Sequence, residues 1–253
     1  MNSLYRHVAK LARQLQPEFV VLENVPGIRS VSGHGFLQPI QTALEAAGYH
    51  VKPHLLRASD FGVPQRRLRY FFLCRRRRRG VGSAPPAPVE THRRVGELAP
   101  TDSTRPQTET VLEVLAAIPV LAHGVAADPY YVDENGEEYL NMATMRHSDR
   151  VLEKIARINV GEGPLSYRRL DHVEAHTLIA GHRAMPVHPE VDRTISVREA
   201  ALLQGFPLDY RFLGTRAEQP IQVVNAVPPP LAAAVARQIL DTYRASANLG
   251  ESS

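Results

Sequence analysis

The sequence predicts an α/β fold: a sheet packed by helices, joined to a smaller, loop-rich region. Three observations carry that prediction. Helical and extended patterns alternate along the first third of the chain. A stretch rich in Pro, Ala, Gly, Thr and charge, from Gly80 to about Thr110, then breaks all periodicity. Near the C-terminus, a Ser196-to-Glu199 pair and a proline-led apolar stripe bring regular helices back.

Leu4, Val8, Leu11 and Leu15 recur at helical spacing, and Pro17 stops the run. Phe19 to Leu22 then reads as a buried strand. Phe36 to Ala47 gives a second amphipathic helix closed by Gly48, and Tyr49–Leu56 and Arg69–Leu73 read as two more strands. Short helices resume at Val111 to Ile118 and at Val151 to Ile158. Ser196-Val197-Arg198-Glu199 has capping-box spacing, in which hydroxyl and carboxylate each satisfy an orphan backbone N–H, so a helix starts there. Pro228 to Pro230 precede Leu231, Val235 and Ile239 and mark the entry of a last helix whose apolar stripe needs a surface to pack on.

The formal charge of 253 residues is only +4, yet Arg75 to Arg79 form an unbroken basic run. Positive charge is therefore local, which suits a polyanion partner, although a solvated loop is the plainer reading of such a run by itself. One cysteine, Cys74, excludes an internal disulfide and any cysteine-rich zinc module, and fits a reducing cytoplasm. The first residues lack the long apolar core of a signal peptide or membrane span, so no membrane role is indicated. His172 and His176, at i and i+4, have the spacing to grip a metal from one helix face. No third ligand accompanies them, and a plain helix or loop contact is the simpler reading, so no metal is expected.

The chemistry concentrates in three segments. In Val20-Val21-Leu22-Glu23-Asn24-Val25-Pro26-Gly27, an apolar strand runs into an acid, an amide and a turn, delivering a carboxylate to the strand's carboxyl end, where open α/β sheets place their chemistry. Gln65-Arg66-Arg67-Leu68-Arg69 follows Asp60-Phe61-Gly62-Val63-Pro64, and strand alternation points Arg67 and Arg69 to one face. The third segment runs from Arg193, Arg198 and Glu199 through Leu203-Gln204-Gly205-Phe206-Pro207 to Gln222-Val223-Val224-Asn225-Ala226-Val227-Pro228.

In this order the three segments resemble the later motifs of the DNA cytosine-5 methyltransferases, over residues 1–79 and about 190–247. The resemblance implies a partial Rossmann-like, S-adenosylmethionine-dependent catalytic domain with a smaller target-recognition domain. Its boundaries fall at 1–79 for the catalytic part, 80–190 for recognition with an irregular linker over about 80–110, 191–220 for a supporting motif, and 221–253 for a helix returning to the first domain. It also implies double-stranded DNA as partner and bacterial restriction-modification as setting.

By the same resemblance Glu23 hydrogen-bonds N3 and the exocyclic amine of a flipped cytosine, partly protonated through burial beside Asn24 and Pro26. Arg69 contacts the base and Arg67 supports it, both in one cleft. Asn24 and Gln65 assist there, and Arg198 and Glu199 hold up the recognition domain. Asn225 approaches the amino-acid end of S-adenosylmethionine. Many relatives carry glycine just before that asparagine; Val224 here adds a side chain where backbone comes close to a ligand.

Two parts of the family pattern are not in the sequence: the Phe-x-Gly-x-Gly loop that cradles the cofactor and the Pro-Cys turn that carries the nucleophile. Cys74, on a strand after Tyr70-Phe71-Phe72-Leu73, reads as a core thiol. A split subunit, a truncated product and part of a longer protein all fit. Each leaves the sheet edge and the helix from Leu231 onward partly uncovered, and the isolated chain is expected to be inactive, poorly soluble or dependent on a separate N-terminal methyltransferase subunit. A non-catalytic DNA-binding protein of this family and an RNA cytosine methyltransferase relative remain as alternatives.

Overall fold

The computed structural model describes residues 4–29, 35–78, 82–98, 104–126, 130–164, 167–179 and 185–250. They form two compact units: Met1–Arg57 with Leu68–Glu90 and Ala233–Ser253, and Ala58–Arg67 with Thr91–Ala232. By contact, the first half of the Gln-Arg-Arg-Leu-Arg segment thus belongs to the second unit and Arg69 to the first.

The first unit is an α/β layer. Helix α1 (Leu4–Leu15) ends where Gln16 turns left-handed before Pro17. Strand β1 (Phe19–Asn24) leads into a 3-10 turn over Pro26–Arg29. Helix α2 (Leu37–Ala46) closes at Gly48, whose φ of 99° suits a residue without a Cβ. Strands β2 (Tyr49–Arg57) and β3 (Leu68–Arg76) complete a sheet of order β1-β3-β2, with β3 antiparallel to both neighbours.

The register fixes which side chains share a face. Val20 and Leu22 lie with Tyr70, Phe72 and Cys74 against the core that includes Ala9, Ala12, Ile40 and Leu44 of α1 and α2. By the period of two, Phe19, Val21 and Glu23 take the opposite face with Arg69, Phe71, Leu73 and Arg75.

In the second unit a 3-10 turn over Ala58–Phe61 precedes α3 (Val111–Leu115), whose Thr110–Glu113 capping box is complete. A short hairpin, β4 (Tyr130–Val132) with β5 (Glu138–Leu140), turns at Asp133–Gly136. Helices α4 (Asp149–Ala156), α5 (Val197–Leu203) and α6 (Glu218–Asn225) follow, and α7 (Pro229–Gly250) starts here and continues into the first unit. The core centres on Val111, Leu170, Leu178, Ile195, Leu203 and Val223. The hairpin and α6 carry no periodicity long enough to predict. Residues 171–179 are not helical, so His172 and His176 share no helix face.

Glu218–Ala247 is long and apolar enough by composition to cross a bilayer. It is nevertheless two helices broken at Ala226–Pro228, with Val223, Val224 and Leu231 buried in protein.

Candidate functional site

In the first unit the site forms where β1 ends. Glu23 stands opposite Phe71 on β3, so Arg69, two residues earlier on the same face, is its diagonal neighbour. Arg69 Nε lies 2.8 Å from Glu23 Oε1, and its Nη1 donates to the Leu68 carbonyl at 2.7 Å. Burial pulls the Arg69 guanidinium below its ordinary value, and the Glu23 carboxylate opposes that fall. Glu23 itself remains about a third exposed, at 31% of its side chain. What faces it is the Arg69 guanidinium, and the burial expected beside Asn24 and Pro26 is incomplete. Asn24 turns back instead, its Oδ1 accepting from the Val25 N–H at 2.9 Å and tying down the turn.

Arg67 and Arg69 do not converge as strand alternation suggested. Strand β3 begins at Leu68, so the alternation does not reach Arg67. Arg67 is fully buried in the second unit, where Nη2 donates to the carbonyls of Val224 at 2.8 Å and Ala226 at 3.1 Å, and Nη1 to Leu178 at 3.4 Å. Gln65, equally buried, donates to the Leu203 carbonyl and to Gln204 Oε1, and accepts from Leu178 N–H. Gln204 in turn donates to Val223 and Ala226. Arg67 and Gln204 thus satisfy the carbonyls at the C-terminal end of α6, which a helix leaves without intrahelical partners, and Gln65 holds Gln204 in place from the end of α5.

The last residue of α6 is Asn225, with an exposed side chain that makes no hydrogen bond among the described residues. Val224 does not crowd it, because its side chain is buried in the second unit's core beside Val223. The residue that replaces the usual glycine therefore leaves the Asn225 surface open, and Asn225 fits a polar contact to a cofactor.

Arg198 and Glu199 sit at the start of α5. Arg198 is fully buried and donates to the carbonyls of Leu140, Pro207 and Tyr210. Burial pulls its guanidinium below the ordinary value. The predicted capping box is present, with Ser196 Oγ accepting from Glu199 N–H and Glu199 Oε2 from Ser196 N–H. Arg193 binds both Glu199 oxygens, at 2.7 and 2.8 Å. Burial pushes the Glu199 carboxyl up, but the Arg193 fork and the cap together hold it below its ordinary value. Gly205 closes α5 with φ 79°, and a Cβ there would stand 2.8 Å from Pro230 Cδ.

Two further sequence features fall away from the site. Cys74 lies opposite Val20, on the face away from Glu23, and burial pushes its thiol up to about 12, far from a thiolate at neutral pH. The arginine run sits at the other end of the sheet: Phe19 pairs with Arg75 and Asn24 with Tyr70, five residues or roughly 17 Å apart. There Arg75 and Arg78 both meet Glu18, Arg75 also stacks over Phe19, and Arg76 donates to the Gln16 carbonyl. Most of the run braces the α1–β1 corner; Arg79 lies outside the described residues.

Sequence reading missed Arg169, buried and donating to the carbonyls of Ile155, Ile158, His188 and Val191 and to Asp192. It missed Arg94 as well, which pairs with Asp60 at 2.6 Å. Each is the second arginine of an Arg-Arg pair, Arg93-Arg94 and Arg168-Arg169, in irregular chain, with no periodicity to say which of the two is held.

A carboxylate paired with a guanidinium at a strand's carboxyl end offers an acceptor and a fork of donors to a planar polar ring. The comparisons identify the class of protein in which this arrangement stands. The profile of the C-5 cytosine-specific DNA methylase family matches residues 1–241, and the chain belongs to that family. It is 31% identical to the type II methyltransferase M1.HphI of Haemophilus parahaemolyticus, over 94% of this chain and 61% of the relative. It is 28% identical to M.BbvI of Brevibacillus brevis, over 95% of this chain and 63% of the relative. The chain thus spans a little under two thirds of these relatives.

Among solved structures, one described as a prophage-encoded DNA modification methyltransferase of E. coli superposes with a TM-score of 0.73 at 24% identity, covering 96% of this chain and 74% of that one. The Dnmt2 methyltransferase of S. pombe gives 0.52 at 16% identity, over 90% of this chain and 68% of that one. Both show the fold, and enzymes of this family use S-adenosylmethionine.

Proposed function

We propose that this chain supplies the base-holding part of a DNA cytosine-5 methyltransferase, with the nucleophilic thiol and the cofactor loop contributed by polypeptide outside these residues. The Glu23–Arg69 pair at 2.8 Å, in a chain of this family, carries the reading. C5 of cytosine is unreactive towards electrophiles until a thiolate adds at C6, and that addition needs a proton held at N3. The base must leave the duplex first, because a stacked pyrimidine exposes neither face.

Glu23 then accepts from the exocyclic amine and holds the proton at N3, while Arg69, shared between Glu23 and the base, donates to O2. Asn24 keeps the turn beneath them in place. Asn225 is the contact this chain offers to S-adenosylmethionine, which when bound supplies an electrophilic methyl group. Arg67, Gln65 and Gln204 act one step back, as positioning residues for Asn225. Arg198 and Glu199 anchor the recognition region, which meets double-stranded DNA. A bacterial cytoplasm, beside a restriction enzyme, is the setting this reading implies.

One observation favours a second reading. Cys74 is the only cysteine and its thiol is buried away from Glu23, which suits a DNA-binding protein that holds a base without methylating it. Transfer of labelled methyl from S-adenosylmethionine to duplex DNA separates the two. The enzyme reading predicts no transfer by the chain alone and transfer once a segment bearing the Phe-x-Gly-x-Gly and Pro-Cys motifs is added. The binding reading predicts salt-dependent DNA binding insensitive to the cofactor, and no transfer in either case.

A further inference from the structure

The second unit carries a cavity that the chemistry at Glu23 does not use. It measures about 380 Å³, within the roughly 300–1,000 Å³ typical of small-ligand sites. Its described lining residues lie between Gly124 and Pro220, all in the second unit, whereas Glu23 and Arg69 belong to the first.

Hydrogen bonds fasten the walls, so the shape exists before anything enters. Thr144 Oγ1 accepts from the Val125 N–H and donates to the Ala122 carbonyl, lacing the 122–126 loop to the chain after β5. Asn141, in the left-handed region at φ 58°, ties that chain to the opposite wall. Its Nδ2 donates to the Phe212 carbonyl and to Gln219 Oε1, and its Oδ1 accepts from the Phe212 N–H. The remaining wall, Thr194–Val197, is anchored where the Ile195 N–H donates to the Pro186 carbonyl. The polar groups of Asn141, Thr144 and Gln219 are therefore spent on the walls themselves.

The surface left for a ligand is apolar apart from two cations. Met145, Met185, Ile195, Val197 and Pro220 supply carbon and polarisable thioether surface that adapts to a flat ring. Arg146 and Arg216 also line the space; both are exposed, and neither guanidinium has a hydrogen bond or ion pair among the described residues. Gly124, at φ 73°, makes room for the Arg146 stem, since a Cβ there would stand 3.2 Å from Arg146 Cγ. No Asp or Glu stands among the described lining residues. Two guanidiniums without a carboxylate, on an apolar surface, select an anion with a flat apolar body; they repel a cation, and they leave a sugar too few polar partners.

We propose that this cavity binds one nucleotide, its base against the apolar walls and its phosphate on Arg146 and Arg216. A guanidinium pairs with phosphate and also stacks on the face of a base, so these two arginines suit both ends of that ligand. In a chain of a DNA methylase family the nearest source is an unpaired nucleotide swung out of the duplex at a position other than the target cytosine. A free mononucleotide has the same chemistry. Neither Glu23 nor methyl transfer enters this assignment.

The test uses the full chain, with fluorescence anisotropy on two labelled duplexes, one fully paired and one carrying a single bulged deoxyadenosine, and thermal unfolding with dAMP. The bulged duplex should bind about fivefold or more tightly than the paired one, as stacking of one base requires. Arg146→Ala combined with Arg216→Ala should remove that preference without changing the Tm of the chain, because both side chains are exposed and unpaired among the described residues. Ala143→Phe, which fills the cavity, should remove it as well, and Glu23→Gln should leave it intact. A Tm raised by dAMP in the chain but not in the double-arginine variant, without any preference for the bulge, supports the site and makes a free nucleotide its ligand. No response to either the bulge or dAMP overturns the proposal. So does a preference that survives either cavity variant in folded protein, or one that disappears with Glu23→Gln, which would place the extra base in the first unit.

Discussion

At the scale of single residues, the proposed chemistry rests on the Glu23–Arg69 pair, in which Arg69 both buries its charge and holds the carboxylate at the strand end. Glu23→Gln keeps the shape and a hydrogen-bond donor but cannot hold the proton at N3. In the complemented enzyme it should lower methyl transfer by about 10²- to 10⁴-fold, with DNA affinity nearly unchanged. Retained activity would remove Glu23 from its role. A second residue tests packing rather than chemistry. Gly205, at φ 79° and against Pro230, has no room for a Cβ. Gly205→Ala should cost about 1–3 kcal/mol in a urea titration, and an unchanged midpoint would show that the α5–α7 approach is looser than it stands.

At the scale of elements, the C-terminus of α6 depends on residues more than 150 positions away, since Arg67 donates to Val224 and Ala226. Arg67→Ala removes this donor from the Val224 and Leu178 carbonyls in a buried site and leaves Ala226 with Gln204 alone. It should destabilise the chain by about 2–4 kcal/mol, and it should weaken cofactor binding to the complemented enzyme through the displaced Asn225. Arg67→Lys restores charge but not the fork, so it should recover only part of either loss.

Local signals account for what could be read here in advance. The α5 cap was visible because Ser196 and Glu199 are three residues apart, and β1 to β3 because their apolar runs are bounded by Pro, Gly and charge. The parting of Arg67 and Arg69 was not visible, because it depends on a strand starting one residue later and on carbonyls far along the chain. Helix α1 was legible as an apolar repeat, but which side of that repeat is buried is a tertiary fact.

At the scale of the whole molecule, burial holds His54, His92, His147 and His188 below their ordinary value and His176 at about 4. Each ring takes up its proton at a lower pH in the fold than once unfolded. The unfolded chain therefore binds more protons below about pH 6.5, and stability falls as pH drops from there towards 4. Glu199, depressed by Arg193, adds a loss of the same sign below the ordinary carboxylate range. Thermal unfolding should give a clearly lower Tm at pH 5 than at pH 7; an unchanged Tm would mean that the histidines are more open to water than their packing shows.

Under the proposed function these residues hold a flipped cytosine while other polypeptide supplies the thiol and the cofactor loop. That division is tested most directly by transfer of labelled methyl from S-adenosylmethionine to duplex DNA, by the folded chain alone and together with the missing motifs on a second segment. No transfer alone and transfer on complementation, lost with Glu23→Gln, is the predicted result. Transfer by the chain alone, or none in either case from folded, DNA-bound protein, would contradict it.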